Sequence, residues 1–185
     1  MLKLAILLIS SWFSDFNMIQ DHINLPSKLL DRYINKIYNS QSYSMVEIEN
    51  ISLNNNDASV GKFYVLIDKQ IMGYIYIGRV NTCRSGVCVT SVDNVQLYEF
   101  FDYFIFYDKD GKVLFVKVYN YEATHGQEIT SAAWLRQFKG YDGSRLLSPG
   151  VNVDAISGAT ISVSAITEDL IVRTRVLKNY LKDII

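Results

Sequence analysis

The residues best suited to chemistry lie near the C-terminus, where the chain reads Asp154-Ala155-Ile156-Ser157-Gly158-Ala159-Thr160, then Ile161-Ser162 and an amphipathic segment. A Ser-Gly-Ala-Thr turn at a helix entrance puts the Thr160 hydroxyl beside unpaired backbone N–H groups and the positive end of the helix dipole. Both favour an anionic group such as phosphate. Gly158 supplies a backbone conformation that other residues resist. The same residues also suit an ordinary turn and N-cap, with Ser157, Thr160, Ser162 and Ser164 offering cap oxygens. Average residue usage yields the pattern Asp-x-x-Ser/Thr-Gly-Ala-Thr by accident on the order of once in a few thousand sequences of this length. Phosphate chemistry at Thr160 is therefore the expectation.

The heptad resembles the attachment motif of the FMN-binding domain family, which includes covalently flavinylated subunits of the sodium-translocating NADH:quinone reductase and of the Rnf electron-transport complex. The resemblance implies FMN carried on Thr160 through a phosphoester. It also implies that Asp154, Ser157, Gly158 and Ala159 are the signature read by a separate flavin transferase that uses FAD as donor together with magnesium. Gly158 and Ala159 are small enough for a bulky donor and a second protein to approach the hydroxyl. Upstream, a hairpin, the run Glu122 to Glu128 with His125-Gly126, and a helix around Trp134 follow the family's order, so the resemblance covers roughly residues 60–182. It implies that His125 and Glu128 neighbour the flavin. The chain departs from the family at Glu128-Ile129-Thr130-Ser131, where better-known members have Glu-Thr-Pro-Gly, a tight turn fixed by Pro and Gly.

These residues need elements to position them. Val163, Ile166, Leu170, Leu177, Leu181 and Ile184 recur at helical spacings and predict a C-terminal helix. Glu168 and Asp169 come early in it and Arg173, Arg175, Lys178 and Lys182 late, an order that complements the macrodipole. Phe104–Tyr107, Asp108-Lys109-Asp110-Gly111 and Lys112–Val118 read as strand, turn and strand, the Asp-Gly pair being a hairpin signal. That run superficially suggests a calcium loop, but it lacks the later ligands and reads as a β-turn. Leu29, Leu30, Tyr33, Ile34 and Ile37 predict a helix from Leu25-Pro26-Ser27 to Tyr38. Further strands are expected at Met45–Ile48, Phe63–Ile67, Ile71–Ile77 and around Val87–Thr90, with turns at Asn54–Asp57 and Asp68–Gln70. The class is α+β: antiparallel strands with an N-terminal helix and a C-terminal helix that starts at the attachment site. A parallel βαβ rhythm and a glycine-rich phosphate loop after a strand are both missing, so flavin binding by those routes is excluded.

At 185 residues, 49% hydrophobic and 20% charged, the chain can bury the core of one domain, expected over residues 22–185. The 13 Tyr and 9 Phe lie mostly at alternating strand positions such as Tyr74 and Tyr76, and read as core or sheet-face residues. With a formal net charge of −1 and scattered Lys and Arg, neither a nucleic-acid partner nor a polybasic membrane patch is supported. His22 and His125 are the only histidines. A His-rich metal site is thereby excluded, and a Ser/His/Asp hydrolase has no Gly-x-Ser-x-Gly elbow to support it.

Residues 1–14 carry one lysine, a short apolar run and small residues, as in a secretory signal peptide or short anchor. Export to the bacterial periplasm or the outer face of the membrane fits the family. Cys83 and Cys88 enclose Arg84-Ser85-Gly86-Val87, and in an oxidising compartment a disulfide closing this turn contributes roughly 2 kcal/mol. A redox-active pair, with Arg84 lowering a thiol pKa, is the alternative.

The expected function is an electron-transfer flavoprotein that relays electrons between donor and acceptor proteins of the envelope, within a membrane complex or beside one. It is a component of an oxidoreductase system rather than a complete enzyme. Two other readings stay open at the level of sequence. One is a stand-alone flavin-dependent reductase of a small molecule or metal complex, and the other is a non-redox binding module of the same fold.

Overall fold

The structure, a computed structural model, describes residues 23, 26–40, 42–49, 51, 60–82, 91–92, 95–96 and 99–184. The N-terminal segment, His22, the turn at 54–57, the strand expected around 87–90 and both cysteines lie outside the described residues.

Helix α1 spans Ser27–Tyr38, with Pro26 as its N-cap residue; its missing N–H costs nothing there, and its carbonyl accepts the N–H groups of Leu29 and Leu30 at 2.9 Å. The strands are β1 (Ser44–Glu47), β2 (Val60–Asp68), β3 (Gln70–Asn81), β4 (Ser91–Val92), β5 (Val95–Gln96), β6 (Phe100–Tyr107) and β7 (Val113–Glu122). They form a five-stranded antiparallel sheet in the order β1-β2-β3-β6-β7, with β4 and β5 paired separately. Beyond β7 come a 3₁₀ turn (Gln127–Thr130), a short helix α2 (Ala132–Leu135), a second 3₁₀ turn (Arg136–Phe138) and the 24-residue helix α3 (Thr160–Asp183). The architecture is α+β, with antiparallel strands and a helix at each end, as the pattern of the sequence implies.

Strand alternation divides the apolar residues between two cores. Leu66, Ile75, Ile77, Phe104 and Phe106 face Leu30 and Ile34 of α1. Phe63, Tyr76, Tyr103, Ile105, Tyr107, Val116 and Val118 face Val163, Ile166, Leu170, Leu177 and Leu181 of α3. The sheet is thus covered on both faces, and β6 is buried along nearly its whole length. One close approach requires glycine. Gly61 and Gly78 pair across β2 and β3, and a Cβ on either would overlap the Tyr76 phenol, so the two glycines make room for that ring.

The strands outrun the sequence expectation because polar residues continue them. Arg79 on β3 donates to the buried Asp102 on β6 at 2.7 Å, and Asn120 on β7 donates to the same carboxylate at 3.0 Å. This cross-strand group replaces an apolar pair with an ion pair, a pattern that hydrophobic alternation misses. The turn at 108–111 forms as expected. The Asp108 carboxylate accepts the N–H groups of Asp110 and Lys112 at 3.0 and 2.8 Å, and Gly111 takes φ +75°.

Three expectations for α3 need correction. Ile184 lies beyond the helix and is exposed. Asp169 and Arg173 do not merely decorate the helix ends, since both are buried against the sheet, where Arg173 Nη2 donates to Asp169 Oδ1 at 2.8 Å. None of the four hydroxyls caps the helix. The N-cap residue is Ala159, whose side chain has no oxygen, because the helix starts one residue earlier than a Thr160 cap would place it and Thr160 is already helical.

Candidate functional site

The site forms where the first turn of α3 meets the end of β7. Gly158 takes φ +81°, a conformation that L side chains rarely adopt, and among the described residues nothing stands within 4 Å of where its Cβ would be. The chain is thus turned into α3 with open space around the turn. Ala159 is buried and Thr160, the first helical residue, is exposed. Because no side chain caps α3, the N–H groups at its start keep their capacity to bind an anion.

Asp154 is held from outside the motif. The Trp134 indole N–H donates to its carbonyl at 2.8 Å, and its own N–H donates to Gln137 Oε1 at 2.7 Å. Trp134 is fixed by edge-on packing against Phe138, with ring centroids 5.3 Å apart. Both backbone groups of Asp154 are therefore spoken for, and the exposed residue is left with its carboxylate on the surface.

A second clamp joins α3 to the loop after β7. The Tyr121 hydroxyl donates to the His125 carbonyl at 2.5 Å, which leaves Ser162 Oγ to donate to the Tyr121 oxygen at 2.8 Å. Burial raises the Tyr121 pKa; the Ser162 hydrogen bond opposes that shift, and the charges of Glu99 and Glu128 add to it. The phenol thus stays protonated and able to hold the His125 carbonyl at neutral pH. Gly126, at φ +92°, lets the loop pass close to this pair, since a Cβ there would sit 2.6 Å from Ser162 Oγ. From the other side, Glu99 Oε1 accepts the Thr124 N–H at 3.2 Å and its Oγ–H at 2.5 Å.

Between these clamps lies a cavity of about 240 Å³ lined by Thr82, Glu99, His125 and the run Gly158–Ser162. Of the residues anticipated from sequence, it brings together His125, Gly158, Ala159 and Thr160. Ser157 is exposed in the turn just before it, and Asp154 lies further back along the same segment. Glu128 is exposed on the first 3₁₀ turn and does not line the cavity. The segment Glu128–Ser131, without Pro or Gly, still folds tightly, because Gly126 opens the 3₁₀ turn and Ile129 anchors it in the core. Sequence reasoning passed over Thr82, Glu99 and Gln137, which stand far from the motif in the chain and belong to no recognisable spacing.

Residues 100–170, from the first residue of β6 to the third turn of α3, match the family model of the FMN-binding domain. The match contains the entire heptad, the Trp134 and Tyr121 clamps and His125, so the resemblance read from the motif holds over this segment and supports flavin binding there. No curated protein matches the chain.

Proposed function

We propose that this FMN-binding segment carries its flavin covalently, through a phosphoester on Thr160, and relays electrons between redox proteins of the bacterial cell envelope. The observation that carries the reading is an exposed threonine at the uncapped start of a 24-residue helix, opening onto a cavity. A hydroxyl placed for modification, N–H donors for a phosphate and an adjoining space fit a phosphorylated ligand tethered at that point.

In the attachment step the Thr160 oxygen attacks the FMN-side phosphorus of FAD, bound with magnesium by a separate flavin transferase. The pyrophosphate P–O bond breaks, AMP leaves with the electron pair, and the Thr160 proton passes to a base on the transferase. Thr160 gains FMN minus water, with no change of oxidation state. Gly158 keeps the approach to the hydroxyl open, and Trp134 with Gln137 fixes the segment that the transferase must read. Afterwards the N–H groups of the first turn of α3 hold the phosphate, and the Tyr121–Ser162 clamp keeps His125 against the cavity. When bound, FMN supplies one- and two-electron chemistry, while the protein sets its orientation and exposure. A covalent tether keeps the site filled where free FMN is scarce, since occupancy no longer depends on ligand concentration. That is the advantage of attachment for a protein exported from the cytoplasm.

The test is the intact mass of the chain co-expressed and exported with a flavin transferase, beside Thr160→Ala. An adduct of FMN minus water on the unmutated chain alone is the expected result. No adduct on either, with a control protein modified in the same cells, overturns the covalent reading.

A further inference from the structure

Thr82 follows β3 and is only 3% exposed, yet its Oγ1 is buried without a hydrogen-bond partner among the described residues. Its position is not loose, because its N–H donates to the Glu99 carbonyl at 2.6 Å. A buried hydroxyl left unpaired is costly, and valine has the same shape without that cost. The same residue forms part of the wall of the cavity on which Thr160 opens. A volume of 240 Å³ corresponds to a sphere roughly 8 Å across, so Thr82 and Thr160 stand within a short linker of each other. Thr82 lies outside the segment matched by the family, and no motif singles it out.

We propose that Thr82 is a positioning residue for the tethered flavin, its hydroxyl hydrogen-bonding a hydroxyl of the ribityl chain. The proposal rests on the covalent attachment argued above. The ribityl polyol is the part of FMN joined to the phosphate, and is therefore what enters a cavity that begins at Thr160. A ribityl hydroxyl both donates and accepts, as Thr82 does, so the pair forms in either direction. Glu99 shares the cavity wall, and its carboxylate accepts from Thr124 in the loop that carries His125. Its negative charge disfavours a phosphate on that side, which leaves the anion at the start of α3 and the neutral polyol against Thr82.

The test compares Thr82→Val and Thr82→Ser with the unmutated chain, each purified with and without attached flavin, loading being read by intact mass. Without flavin, Thr82→Val keeps or raises the melting temperature, by about 2–4 °C, because it removes an unpaired buried hydroxyl. With flavin that gain vanishes or reverses, and the fluorescence anisotropy of the flavin falls as the ring swings on its tether. Thr82→Ser behaves as the unmutated chain in both measurements. Should the valine variant fail to fold, serine against alanine carries the same contrast. A melting shift that is the same with and without flavin, together with unchanged anisotropy on a fully loaded chain, overturns this proposal alone. Absence of any adduct on the unmutated chain overturns the attachment and this proposal with it.

Discussion

Among the individual residues, Trp134 links the packing of the fold to the attachment proposed at Thr160. Its indole N–H holds the Asp154 carbonyl while its ring packs edge-on against Phe138. Trp134→Phe keeps the ring contact and deletes the hydrogen bond, so it is expected to lower stability by about 1 kcal/mol. Denaturant titration of the two apo-proteins measures that loss. The larger expected effect is on the rate at which a flavin transferase loads Thr160, followed by intact mass, because the released segment is the one to be recognised. A rate unchanged at full stability would show that the clamp does not present the motif. At this scale the heptad was legible because a small-residue turn before a helix is an unusual local pattern. Gln137, Thr82 and Glu99 were not legible: each acts through contacts to residues distant in the chain, which leave no periodicity or spacing to find.

Between elements, the seating of α3 on the sheet depends on a polar group in the core. Arg173 Nε donates to Asp169 Oδ1 at 2.9 Å, Tyr103 donates to the other carboxylate oxygen, and the guanidinium lies 5.2 Å from the Tyr76 ring centroid. Burial is the largest single influence and depresses a guanidinium, but the Asp169 charge and hydrogen bond together with the Tyr76 and Tyr103 phenols outweigh it, and the Arg173 pKa is raised. A buried pair of this kind adds little net stability while both members are present, and removing one leaves a charge without compensation. Arg173→Met is therefore expected to cost about 3–5 kcal/mol, and the double variant Asp169→Leu/Arg173→Met to cost less than that single change. Urea midpoints of the three proteins decide the point; a double variant no more stable than Arg173→Met would contradict it. The helix itself was legible from its apolar stripe. Its inward-facing charges were not, since Asp169 and Arg173 at i and i+4 read equally well as a solvated pair on an exposed face.

Across the whole molecule, the aromatic content read from sequence as core and sheet-face residues carries a consequence for pH. Tyr103 and Tyr107 are fully buried, and burial, the largest cause for each, lifts their pKa above the ordinary 10.0. The folded state thus holds phenol protons that the unfolded chain releases. Their contribution is complete below about pH 10 and is lost above it, at about 1.4 kcal/mol per pH unit for each phenol. Tyr107→Phe removes one such proton and keeps the ring in the core, losing the 3.3 Å hydroxyl contact with Thr174 Oγ1. The slope of stability against pH above 10 should flatten by one proton in this variant, as denaturation at several alkaline pH values would measure; an unchanged slope would contradict it. The α+β class was legible because helical stripes at the two chain ends flank segments of strand pattern, whereas the placing of those helices on opposite faces of one sheet was not. The order β3-β6 was not, since the segment between those strands gives no signal of which edge it crosses. That arrangement also governs when Thr160 becomes available. Its helix closes the larger core, which needs β6 and β7 beside β3 before α3 has a surface to lie on. The turn before Thr160 is therefore shaped only once the C-terminal third of the chain has been made and packed. On the proposed attachment by a transferase that reads this turn in its folded shape, the yellow colour of a molecule reports that its C-terminal helix has packed.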